Sequence, residues 1–518
     1  MRFGLKTKLD SARATSVRHN VLANLGGQGL SAIVSLLCVP IYLRILGIGG
    51  YGLLGIWMTI ETLASLLDFG LSPTMTRELA TYAAQPAHGN EARDFVRTLE
   101  TGYWCLALII GLAIISAAPL ISHHWIHSSE LSPAAISTAL KLIGVLIACR
   151  WPLSFYAGGI NGLERQVLLA WITTGAALVR SLGGVAVLLW IASSVTAFFV
   201  WQIGVNLALS LALMTVLWRC LPGRGAGRFS LTHLRRVGRF AGGTAGIAIV
   251  SMALSDLDKL VVSKKLPLEI FGYYSLGWRV AGTLYMVSSA IYQAIFPALA
   301  RLAEARDTRL AAVYHRGCQL MAILVIPAAA TVVFFGRELI FAWTGSAAVA
   351  AKTYPLAALM TAGTALQCLA TVPFALQLSA GWTTLAFYSN LCAMCVSVPA
   401  LLILTNRFGA IGAASVWLLV NFSYLFTQVP ITHYRLLRGE QLRWYMHDTF
   451  APLAAAVIAA AAAWLAFPLM ETRFAIIMSV ACTYFIGAVA AALATPVARE
   501  QVAAFLSRYR TRLAPQGS

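Results

Sequence analysis

Nine ionisable side chains interrupt the apolar stretches of this chain: Glu61, Asp68, Lys141, Arg150, Arg180, Asp256, Asp258, Lys259 and Arg279. Placing one such group near the centre of a bilayer costs about 2.5 to 3.5 kcal/mol on insertion scales, so each needs a partner or a task. Spacing sorts them. Glu61 and Asp68 are seven residues apart and share a helix face. Asp256 and Lys259 are three apart and can pair, whereas Asp258 points elsewhere, with Arg279 at similar depth as its candidate partner. Asp68 stands near the end of its span, placed to cap a helix or pair with Arg77, and Lys141 is close enough to a boundary to snorkel. Counted at about 1.5 Å per residue, Glu61 falls near the bilayer midplane, with Arg150 and Arg180 too deep to reach water easily. A guanidinium grips phosphate through two parallel hydrogen bonds, so a surplus of buried arginine points to an anionic substrate. Arg150, Arg180, Lys259 and Arg279 are the candidate substrate ligands, and Glu61, Asp68, Asp256 and Asp258 the candidates for coupling to an ion.

Other chemistries find less support. His123, His124 and His127 in SHHWIHSSE lack zinc-protease spacing, and no Ser-His-Asp, paired-carboxylate or phosphate-loop constellation stands elsewhere. GRGAGR at 223–228 has no lysine in a phosphate-loop frame, and GIGGYG at 47–52 follows no strand. Cys392 and Cys395 have redox-motif spacing but lie mid-span, which reads as packing, and no disulfide framework emerges from the nine cysteines. Neither a metal nor a cofactor is implied.

The elements that position these residues are membrane helices. With 59% hydrophobic and 11% charged residues and a mean hydropathy of +0.76, the chain has too few charges to clothe a water-soluble globule. About fourteen runs approach the roughly 20 residues needed to cross 30 Å of hydrocarbon. They lie near 21–43, 51–71, 99–121, 134–157, 167–190, 195–218, 240–262, 272–297, 317–336, 354–377, 383–404, 410–432, 450–470 and 474–495. Their unbroken apolarity fits helices rather than a barrel, so the expected fold is an all-α integral membrane protein. The first run is too long for a signal core and no small-residue cleavage site ends it. Prolines at 40, 152, 297, 327, 373, 399 and 430 kink or end spans.

The net charge of +19 serves topology rather than nucleic-acid binding. Arginines cluster on alternate connections, Arg77, Arg93, Arg97, Arg165, Arg219 to Arg239, Arg301 to Arg316, Arg435 to Arg443 and Arg499 to Arg512, which places both termini in the cytoplasm. The polar, acid-free stretch 219–239 separates six spans from the next six. Gly50, Tyr51, Leu54 and Gly55 recur as Gly272, Tyr273, Leu276 and Gly277, and Pro73 with Arg77 as Pro297 with Arg301. The chain thus reads as two related halves, a device of secondary transporters. The expected parts are a lobe of helices 1–6 (1–218), the basic linker (219–239), a lobe of helices 7–12 (240–433), two appended helices (434–495) and a basic tail (496–518).

Asn20, PIYLRILGIGGYGLLG at 40–55, LLDFGL at 66–71 and TRELA at 76–80 closely resemble the opening of bacterial polysaccharide flippases of the Wzx type. That family lies within the multidrug/oligosaccharidyl-lipid/polysaccharide exporter superfamily. GINGLERQ at 159–166, DLDKLVVSKKLPLEIFGYYSLG at 256–277 and GAIGAASV at 409–416 extend the resemblance over most of the chain. It implies a two-lobed bundle with spans 1, 2, 7 and 8 around a central cavity in a bacterial inner membrane. The implied substrate is an undecaprenyl-pyrophosphate-linked oligosaccharide, turned from the inner to the outer leaflet for surface glycan such as O-antigen. The implied partners are that lipid-linked oligosaccharide, membrane lipid, a glycan polymerase and a chain-length regulator. Only Arg44 marks the first helix, unlike the lipid II branch. A cation or drug antiporter of the same superfamily is the alternative. A membrane glycosyltransferase or polymerase is disfavoured by outer loops of about a dozen residues, too short for a lipid-sugar site.

Overall fold

Hydrocarbon offers no partner to a bare peptide group, so a chain this apolar must bond its backbone within each segment. The computed structural model describes residues 2–68, 70–83, 89–223, 225–232, 256–466, 472–496 and 499, and among them every regular element is a helix. Among the described residues, eleven helical segments are long and apolar enough to cross a membrane. The protein is an all-α integral membrane protein.

In the first unit, Met1–Gly272, the helices are α1 (Arg2–Leu66), α2 (Leu71–Ala83), α3 (Gly89–His124), α4 (Pro133–Arg150), α5 (Leu153–Gly162), α6 (Gln166–Trp190) and α7 (Val195–Cys220). A helical stretch at 256–265 follows. In the second unit, Tyr273–Ser518, lie most of α8 (Leu268–Ala281), then α9 (Leu284–Glu304), α10 (Leu310–Thr344), α11 (Ala347–Ser379), α12 (Thr384–Phe426), α13 (Gln428–Leu436), α14 (Ala451–Ala466) and α15 (Arg473–Ala494). Its core gathers Leu299, Tyr314, Met321, Val325, Cys368 and Trp444.

The two longest segments each exceed what one crossing needs and are broken within. The stretch Gly26–Ser65 has 40 residues, about 60 Å of helix at 1.5 Å per residue and twice the hydrocarbon thickness. It breaks at Gly47, whose φ of 71° lies in the left-handed region open to glycine. Thr384–Leu436 breaks in the same way at Gly409, φ 60°. These breaks separate the expected spans 21–43 from 51–71 and 383–404 from 410–432. Of the expected seventh span, 240–255 lie outside the described residues, as do 233–239 of the linker and nearly all of the tail.

Sequence signals act where physics places them. Ser132, Ser194, Ser346 and Thr472 cap α4, α7, α11 and α15 by accepting the backbone N–H three residues on. Pro40, Pro297, Pro327, Pro373 and Pro399 sit inside helices, and Pro152 stands in the break between α4 and α5. Cys392 and Cys395 correct the packing reading, because both are exposed on α12.

The described start of the linker is fastened rather than free. Arg93 donates to the carbonyls of Pro222 (3.0 Å) and Gly225 (2.6 Å), Arg97 to that of Ala226 (3.0 Å), and Ser230 N–H to Thr98 Oγ1 (2.9 Å). The loop after α3 is tied as firmly. Glu269 Oε1 accepts Ser128 Oγ (2.6 Å) and the N–H groups of Ser129 (2.9 Å) and Glu130 (3.1 Å), while Glu130 Oε2 accepts Gly49 N–H (3.1 Å). Beside these bonds two backbone segments of the first unit pass close together. A Cβ on Gly52 would stand 2.6 Å from the Leu268 carbonyl oxygen, and one on Gly272 2.5 Å from that of Ile48.

Backbone cannot yield as a side chain can, so Gly52→Ala and Gly272→Ala should each destabilise the protein by about 1–3 kcal/mol. Gly204→Ala, whose added methyl meets nothing within 4 Å, should be neutral or mildly stabilising. Thermal unfolding of the detergent-solubilised variants checks the contrast.

Candidate functional site

The site in the first unit is organised by the short run from Cys149 to Tyr156, where α4 ends and α5 begins. Pro152 has no N–H to continue the α4 ladder, so the helix stops at Arg150 and restarts at Leu153. Side chains along this corner then reach different helices in turn. The Cys149 carbonyl accepts Ser210 Oγ at 2.6 Å. Arg150 Nε donates to Glu61 Oε1, and its Nη1 to Asn206 Oδ1 at 3.2 Å. Trp151 Nε1 donates to the Ala64 carbonyl at 3.0 Å. The rings of Trp151 and Phe155 lie 4.8 and 4.7 Å from Tyr103, and Tyr156 donates to Glu100 Oε1 at 2.9 Å.

Glu61 and Arg150 keep 31% and 26% of their side-chain surface exposed, which leaves the pair open to exchange. Asn206 is buried and held by its own bond from Nδ2 to the Gln202 carbonyl at 2.7 Å. It therefore presents a fixed oxygen to the guanidinium. Gln202, Asn206 and Ser210 recur every four residues along α7 and form a buried polar seam there.

Asp68 accepts from the Ser72 N–H (3.2 Å), from Ser72 Oγ (2.9 Å) and from the Tyr103 hydroxyl. It caps the first turn of α2, one of the two roles its position allowed. Arg77 is paired with Glu78 at 3.1 Å. Lys259 pairs with Asp256 as the three-residue spacing predicts, and both Asp256 and Asp258 are buried. Arg180 on α6 and Arg279 on α8 are half-buried, and Lys141 is exposed.

Three groups escaped the sequence reading. Glu100, 3% exposed, is enclosed by Tyr156, by Trp218 Nε1 at 3.1 Å and by Arg97 Nη1 at 3.0 Å. It stands at the second residue of an expected span, where a charge passes for interfacial. In the second unit His315 and Asp448 are buried together, each two residues outside an expected span. Among the described residues no three His, Cys, Asp or Glu side chains converge as a metal-ligand set, and His123, His124 and His127 are exposed.

An arginine bonded to one partly exposed carboxylate, in an all-helical membrane unit, makes a candidate anion site. The chain superposes on the lipid II flippase MurJ in an inward closed conformation with a TM-score of 0.70, at 12% identity, over 92% of this chain and 98% of that one. An inward-facing multidrug resistance MATE family transporter of the MOP superfamily gives 0.61 at 14% identity, over 80% and 94%. A Shigella flexneri protein named "Putative O-antigen transporter" is 20% identical over 78% of this chain and 94% of its own length. Residues 41–349 match the family described as polysaccharide biosynthesis protein, and the chain belongs to that family.

Removing one partner of a buried ion pair costs about 3–5 kcal/mol, less where water still reaches it. At the exposure observed, Arg150→Leu or Glu61→Gln should each cost about 1–3 kcal/mol. The double variant should cost less than the sum, and a thermal double-mutant cycle measures that difference.

Proposed function

We propose that this protein is a flippase that carries undecaprenyl-pyrophosphate-linked oligosaccharide from the inner to the outer leaflet of a bacterial inner membrane, by alternating access. The observation that carries the reading is Arg150, a deep guanidinium whose ionic partner, Glu61, remains partly exposed. A pyrophosphate can take the place of that carboxylate, offering oxygens in the geometry a guanidinium prefers. Membership of the polysaccharide biosynthesis protein family supports the same substrate class, as does likeness to a relative named for O-antigen transport.

In this reading Arg150, Arg180, Lys259 and Arg279 replace part of the water that the pyrophosphate sheds, while the lipid tail stays in the bilayer. Glu61, Asp68, Asp256 and Asp258 are the groups able to couple the cycle to a proton or sodium ion. An inside-negative potential also pushes an anion outward, with about 2.3 kcal/mol per charge per 100 mV. The chain is organised as helices 1–6 (1–218), linker (219–239), helices 7–12 (240–433), two appended helices (434–495) and tail (496–518), with both termini cytoplasmic. A glycan polymerase and a chain-length regulator are its proposed partners.

Proteoliposomes loaded with a fluorescent-headgroup undecaprenyl-pyrophosphate oligosaccharide test the proposal. Wild-type protein should turn the lipid over, and Arg150→Ala and Arg279→Ala should slow it at least about tenfold, one lost charged contact being worth 1.4 kcal/mol or more. Turnover measured well below each variant's melting temperature, where Arg150→Ala stays folded despite its lost ion pair, separates lost binding from lost folding. No turnover by wild type would favour the antiporter reading.

A further inference from the structure

The second unit holds a buried polar cluster that the flippase reading does not use. His315, 1% exposed near the start of α10, directs Nδ1 at Asp448 Oδ2 and holds Nε2 3.0 Å from Glu440 Oε2. Asp448 has no exposed side-chain surface, and its other oxygen accepts Gln319 Nε2 at 2.7 Å. Glu440 keeps 30% of its side chain exposed, with Arg443 Nη1 at 3.6 Å. Both ring nitrogens therefore face carboxylate oxygens.

A neutral imidazole has one N–H and one lone pair. Between two carboxylates, one of its nitrogens would set a lone pair against an anion where little water screens the repulsion. The arrangement closes when both nitrogens donate. We infer that His315, Asp448 and Glu440 form a proton-binding site, in which an imidazolium clamps the two carboxylates.

The surroundings fit a single positive charge at this point. Besides Gln319, α10 brings Tyr314 and Cys318, and α13 brings His433, whose Nε2 lies 3.1 Å from the Tyr314 hydroxyl. Tyr445 stands with Asp448 in the π-helical turn Trp444–Phe450 that leads into α14. At its adjoining end α9 carries Tyr292 and the exposed Arg301 and Glu304. Cys368 is the one titratable side chain of α11 between 366 and 379, and α14 and the 485–494 part of α15 carry none. No metal-ligand set of three such groups exists among the described residues, so a metal ion does not compete for the role.

Access is one-sided. Glu440 is the exposed member and Asp448 the sealed one, so a proton exchanges through Glu440. Arg435, Arg438 and Arg443 mark this end as the one the charge distribution assigns to the cytoplasm. The clamp fastens α10 to the connection that enters the two appended helices, and the bound proton holds that joint closed. The inference is independent of the cargo.

The test uses the full-length protein in nanodiscs, with 15N-labelled histidine and the His315→Gln difference spectrum to identify the signal. The expected result is a ring carrying a proton on both nitrogens. Separately, His315→Gln should lower the melting temperature by several degrees, and His315→Gln/Glu440→Gln should recover most of the loss, because two amides can satisfy each other where an amide oxygen and a carboxylate cannot. A neutral His315 ring, or a double variant whose loss equals the sum of the singles, overturns the inference.

Discussion

A guanidinium inside a membrane protein is tolerable only while its N–H groups are answered. In the first unit Glu61 and Asn206 provide that answer for Arg150. Asn206 in turn is fixed by the Gln202 carbonyl. Its neighbour one turn on, Ser210, bonds the residue preceding Arg150. Side chains from the second span, the fourth and the sixth thus converge because one charge requires it. From the same corner Trp151 bonds the Ala64 carbonyl and packs on Tyr103, whose hydroxyl donates to Asp68, while Tyr156 donates to Glu100, so Glu61, Asp68 and Glu100 are linked through a single break at Pro152.

Polar groups in this protein are answered in two different ways. The pair of Arg150 and Glu61 is partly open, and one partner can be traded for another anion. The clusters around Glu100 and Asp448 are closed, each carboxylate surrounded by several donors. Closed networks of this kind rigidify the helices they join, because a half-satisfied polar group in low dielectric is costlier than none. Exposure of both partners is what separates the Arg150–Glu61 pair from the carboxylates of Glu100 and Asp448, which are buried.

Much of this architecture was legible in the residues. Hydropathy fixes the helical class because hydrocarbon leaves the backbone no other choice, and the glycines at 47 and 409 divide segments that exceed what one crossing needs. The pairing of Asp256 with Lys259 was equally legible, since three residues on a helix are neighbours by geometry. What stayed hidden was long-range pairing. Glu61 and Arg150 are 89 residues apart in sequence, and no local rule joins them. Glu100, second in its expected span, passed for interfacial, and His315 and Asp448 were missed for another reason: a span boundary drawn by apolarity tends to stop where a charge begins. A charge buried at the end of a helix is thereby assigned to the loop.

The tie after α3 sets a limit on how the chain can vary. Loops between membrane helices ordinarily accept extra residues, since their backbones bond to water. Here Ser128, Ser129 and Glu130 bond Glu269 while Glu130 also holds Gly49, so the loop spans a fixed gap between Gly49 and Glu269. One inserted residue would put those groups out of register with both anchors at once. The loop behaves as a ruler, and length change in this family should collect at connections that measure nothing.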